Sequence, residues 1–173
     1  MMRLRILVGL LLILAAGALA QTISPTPSPS PSPEDTDLSK REAKIAAYTG
    51  TWTGTSTCVA KNRGACKNEV IVYRFVPFPA APWQTRLLGD KIVEGKRLPM
   101  GAFICQYDDK TGGIHSEFKV GNTHGVWSFT AEGDSLIGAL IILPGGEKAR
   151  DVRAIRTDDS KVPPAPALKE YEE

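Results

Sequence analysis

The sequence predicts an all-β protein: an antiparallel up-and-down barrel of about 8–10 strands behind a short N-terminal helix. Three observations carry this. From Thr51 onward, apolar residues recur with a period of two. Short turn signals such as Glu132-Gly133-Asp134 and Pro144-Gly145-Gly146 separate the runs. No second helical pattern or long crossover follows, so parallel βαβ units are not expected. A two-sheet sandwich has similar strand counts and turns and is the alternative architecture.

The first 20 residues read as an address. Arg3 and Arg5 precede the apolar run Ile6–Leu14, and Ala18-Leu19-Ala20 has the small-residue pattern of a cleavage site. The 15 residues between Arg5 and Gln21 fall short of the roughly 20 apolar residues that span a bilayer. A secretory signal peptide is the expectation, with a secreted or periplasmic product and no membrane span after cleavage. Removing Arg3 and Arg5 leaves 19 of the 21 basic residues against 19 acidic ones. A neutral chain without basic patches gives no basis for nucleic-acid binding.

Residues 21–36 form a linker in which Pro25, Pro27, Pro29, Pro31 and Pro33 alternate with Ser or Thr. Proline lacks an N–H and fixes φ, so an extended, disordered spacer is expected. The domain is expected over 37–157. It opens with a helix, Asp37–Tyr48, whose Ser39 and Glu42 match a capping box, and Gly50 ends it.

Nine candidate strands follow: Thr51–Cys58, Glu69–Phe75, Trp83–Leu88, Lys91–Arg97, Ala102–Tyr107, Gly113–Val120, Gly125–Thr130, Ser135–Leu143 and Lys148–Arg156. Gly89-Asp90 reads as the turn between the third and fourth. Ile71, Tyr73 and Phe75 share one face, opposite Val72 and Arg74. Ile114, Ser116 and Phe118 oppose His115, Glu117 and Lys119, and Trp127 and Phe129 oppose Ser128 and Thr130. Leu136–Leu143 is apolar on both faces and reads as a strand covered on both sides, with the N-terminal helix as a candidate cover. Residues 158–173, acidic and proline-containing, read as a disordered tail.

A short helix leading into Gly50-Thr51-Trp52-Thr53-Gly54, with a basic last strand, resembles the lipocalin-like (calycin-type) barrels. Gly125-Val126-Trp127-Ser128-Phe129 and the apolar strand after it are similar to small secreted bacterial members of unassigned function. The resemblance implies that Trp52 sits near the closed end and packs against a basic residue of the last strand, either Arg153 or Arg156. Nitrobindin-like barrels, which hold heme through one histidine, share the layout, but no histidine here matches theirs, and no cofactor is expected.

Three cysteines are present. Cys58 and Cys66 flank the first hairpin loop, and export permits a disulfide between them. Cys105, beside Ile104, reads as a buried small hydrophobe; the other reading is a reactive or dimerising thiol.

No nucleophile elbow, metalloprotease, C-x-x-C or phosphate-loop pattern occurs, and the protein is not expected to be an enzyme. His115, Glu117 and His124 could approach one another, yet a solvated strand face explains them and no metal site is expected. The function expected is binding of a small apolar or amphipathic ligand in the barrel. Its candidate lining is Tyr73, Phe75, Phe103, Phe118, Trp127 and Phe129, with Arg74 as an anchor for a ligand carboxylate. The alternative is a filled barrel or sandwich that binds or inhibits another envelope protein.

Overall fold

The computed structural model describes residues 33–61, 64 and 66–171. The expected leader, and the Pro/Ser segment up to residue 32, lie outside the described residues. Helix α1 (Pro33–Ala46) precedes β1 (Gly50–Cys58), β2 (Glu69–Pro77), β3 (Gln84–Val93), β4 (Lys96–Asp108), β5 (Gly113–Val120), β6 (Thr123–Glu132), β7 (Ser135–Leu143) and β8 (Glu147–Thr157). The strands form a closed barrel in sequence order, each antiparallel to the next, and β8 returns to pair with β1. Closure removes the exposed edges that an open sheet would carry.

Eight strands replace the nine candidates because the third hairpin turns elsewhere. The backbone does not turn at Gly89-Asp90; β3 runs straight through them. It turns at Glu94-Gly95, where φ is 51° and 74°, the left-handed pair that a two-residue hairpin needs. Pro99 and Gly101 also mark no break. Asp90 opposes Pro99 and Gly89 opposes Gly101, so Met100 is an extra residue that the ladder absorbs as a bulge.

The period-two faces become the inside and outside of the wall. Trp52, Ile71, Tyr73, Phe75, Leu87, Ile114, Trp127, Phe129, Leu136 and Val152 point inward and form one core. Each large apolar side chain buried there contributes roughly 1.5–3 kcal/mol. Phe75 and Tyr73 meet Phe129 edge-on, at 5.6 Å and 5.8 Å, and Trp127 stacks on it at 5.8 Å. Helix α1 begins earlier than expected, at Pro33, where proline's fixed φ suits a first turn. Ser39 and Glu42 therefore lie inside the helix and not at its start. The helix rests against β3 and β4, buries Ile45, and is tied to the β4–β5 turn by Arg41 and Asp109 at 2.7 Å. It does not cover β7, whose outward Ile137 is 51% exposed.

The closed end is fixed by Arg156. Its guanidinium lies 4.2 Å from the centre of the Trp52 ring and donates to the carbonyls of Thr49 (2.5 Å) and Ala47 (2.6 Å), just past the end of α1. The Trp52 indole N–H donates to the Tyr48 carbonyl at 2.8 Å. Of the two arginines expected to meet Trp52, Arg156 does so; Arg153, of opposite parity, faces outward.

The segment expected to fray is packed as far as Tyr171. Short 3-10 turns form at Asp159–Lys161 and Leu168–Tyr171. Thr51 donates to Asp159 at 3.0 Å, and the Tyr171 hydroxyl donates to the buried Asp90 carboxylate at 2.7 Å. Arg97, fully buried, donates from Nε to the other Asp90 oxygen at 2.5 Å. Leu88 is buried although it points away from the barrel interior, and it shares a pocket with Leu168 and Tyr171 of this strap.

Candidate ligand cavity

The interior is filled at the closed end and hollow toward the open end, where β1 finishes and β2 starts. A cavity of about 240 Å³ lies there, lined by Ser56, Glu69, Tyr73, Leu87, Gly89, Met100, Phe103, Trp127 and Arg150. Tyr73 and Trp127 meet edge-on at 6.4 Å and form an aromatic floor. Gly89 lies opposite Tyr73; a side chain there would take up space beside the ring.

One side of the cavity is polar. Arg150 comes from β8 and shares the inward parity of Val152, Ala154 and Arg156. It pairs with Glu69 at 2.9 Å, and donates to the Ser56 hydroxyl at 2.8 Å and to the Lys67 carbonyl at 2.9 Å. These contacts hold Arg150 against β1 and β2. Burial pushes the Tyr73 phenol well above its ordinary pKa of 10.0, while the Ser56 hydroxyl and Arg150 pull the other way. At neutral pH, Tyr73 therefore presents a protonated hydroxyl beside Ser56.

The expected lining residues separate by depth along the barrel. Tyr73, Phe103 and Trp127 line the cavity. Phe75 and Phe129 point inward too, but lie at the filled end, with Phe75 6.0 Å from Tyr48. Phe118 packs on Phe103, ring centres 5.4 Å apart, at the wall between β4 and β5. Arg74 does not reach the interior. Tyr73 and Phe75 occupy the inward positions, so alternation sends Arg74 outside, near Tyr171 under the strap. The sequence reading did not name Ser56, Glu69 or Arg150 for this site, although Ser56 lies four residues beyond Trp52 on the same face.

Cys58 and Cys66 form a disulfide that closes the β1–β2 loop at the open end, with Cα atoms 5.7 Å apart. Cys105 is fully buried, and burial pushes its thiol up to about 12. Glu117 and His124 pair at 2.6 Å. Among the described residues, no group of three or more His, Cys, Asp or Glu is placed to hold a metal ion. None of the described helices is long and apolar enough to cross a membrane.

Compared with protein-family models, curated proteins and solved structures, the chain matches none. The arrangement that stands is an eight-stranded antiparallel barrel, filled at one end, with an aromatic-floored cavity toward the other.

Proposed function

We propose that this protein is an exported, lipocalin-like barrel that binds a small apolar or amphipathic ligand in its open-end cavity. The cavity itself carries the reading. Small barrels are commonly filled by their own side chains, whereas this one keeps about 240 Å³ over Tyr73 and Trp127. That volume exceeds the roughly 150 Å³ apolar cavity that accepts benzene and falls below the roughly 300–1,000 Å³ of most drug-sized sites. A single ring with a short substituent is the matching size. Burial of its apolar surface drives binding, and the Tyr73 and Ser56 hydroxyls orient one polar group.

The lipocalin-like assignment is supported by the Gly50-Thr51-Trp52 start and by Arg156 stacked on Trp52. Export is supported by the leader-like Met1–Ala20 and by the disulfide, which needs an oxidising compartment.

A native mass spectrum of protein from an exporting host tests the reading. A mass excess that disappears on denaturation, together with quenching of Trp127 fluorescence by the recovered compound, supports it. A bare mass, and no Trp127 response to a panel of small phenols and indoles, refutes it; Trp127→Phe identifies the responding tryptophan.

A further inference from the structure

The wall of the barrel is incomplete between β4 and β5. These strands pair at only three positions, Gln106 with His115, Tyr107 with Ile114 and Asp108 with Gly113, all next to their turn at the closed end. Toward the open end they diverge, while each stays paired to its other neighbour. A second cavity of about 490 Å³ occupies the seam, with Ala102, Phe103, Ile104 and Gln106 on one side and His115, Ser116, Glu117 and Phe118 on the other. Phe103 also lines the interior cavity. The Phe103 ring therefore stands between the two spaces and packs on Phe118, and these two half-buried rings occupy the place where a backbone ladder would otherwise close the wall. Side-chain rotation moves such rings without breaking a ladder hydrogen bond.

We propose that the seam is the second half of the ligand site. The ligand class is a compact, hydrogen-bonding ring or head carrying one unbranched alkyl chain, with the head inside and the chain leaving sideways between Phe103 and Phe118. Interior volume fits a head and little more. The gap between the two phenyl rings, with Ala102 and Ile104 beside it, suits a methylene chain, which then passes polar side chains toward solvent. This rests on the reading that the interior binds a ligand.

The test is a series of 4-alkylphenols, from methyl to octyl, titrated against the full mature chain. If the seam takes the chain, affinity rises about two- to fourfold per added CH₂ well beyond the length the interior can enclose. Ala102→Trp, which fills the seam from the wall, flattens that rise; Ile104→Trp serves if the first variant does not fold, with folding checked by thermal melting. Short members that bind while affinity stops rising after ethyl or propyl would falsify the seam site and leave the interior site standing. A chain-length rise that persists in both folded plug variants also overturns it. If no member binds, the interior reading fails and this inference fails with it.

Discussion

Arg156 and Trp52 join the last strand to the first at the closed end, with the guanidinium 4.2 Å from the ring centre. The same guanidinium donates to two carbonyls beyond α1, so one side chain ties helix, β1 and β8 together. Arg156→Ala removes a cation–π contact and three charge-assisted hydrogen bonds, the third from Nε to the exposed Asp134 carboxylate at 3.2 Å, for an expected loss of about 2–4 kcal/mol. Arg156→Lys keeps the charge but not the forked donation, and its urea midpoint should fall between wild type and Ala. A Lys variant as stable as wild type would contradict the geometric argument.

The strap makes a second prediction. Tyr171 donates to Asp90, 81 residues upstream, within a buried cluster that also holds Arg97. Tyr171→Phe leaves a buried carboxylate oxygen short of one donor and should cost about 1–3 kcal/mol. Limited proteolysis should then trim the chain after Thr157 faster than in wild type. Leu168, 59% exposed, is the control, and its replacement by Ala should change stability by less than about 0.5 kcal/mol.

These two contacts show what the sequence can and cannot disclose. Gly50-Thr51-Trp52 and a basic last strand are local patterns, and parity separates Arg156 from Arg153 once the register is known. Tyr171 with Asp90 has no local signature, because a proline-containing acidic tail looks the same whether or not a distant carboxylate captures its one tyrosine. Gly89-Asp90 has the composition of a turn, yet Asp90 is needed mid-strand to meet Arg97 and Tyr171. Within the site, alternation identified Tyr73 and Trp127 as inward. It did not distinguish them from Phe75 and Phe129, since period two encodes the face of a strand and not depth along the barrel. Arg150 and Glu69 were hidden because charged residues on an inward face become intelligible only as a pair.

Gly54 supplies a steric prediction. A Cβ built there would lie 2.0 Å from the Arg153 carbonyl oxygen and 2.6 Å from the Ala154 Cα, both backbone atoms of β8. No side-chain rotation relieves that contact, so β1 and β8 must separate where the barrel closes. Gly54→Ala should cost about 3 kcal/mol or more, or abolish soluble expression. Gly145→Ala meets nothing within 4 Å and should be close to neutral in the same denaturation assay.

The last prediction concerns alkaline pH. Burial raises the phenols of Tyr48, Tyr73 and Tyr171 above their ordinary 10.0; at Tyr171 the Asp90 carboxylate adds to the shift. The folded chain therefore holds these protons where the unfolded chain releases them. With fewer protons bound to the unfolded state, stability falls as pH rises. The contribution is fully present below pH 10 and is lost progressively above it, by up to about 1.4 kcal/mol per pH unit for each phenol. Urea midpoints should be flat in this respect up to about pH 9 and fall steeply beyond 10. Tyrosinate absorbance from these three residues should appear together with loss of β-sheet circular dichroism. Tyr171→Phe should make the alkaline fall shallower by one group's share. Tyrosinate formation by Tyr48, Tyr73 and Tyr171 near pH 10 with the sheet signal intact would show that these phenols are not buried as described.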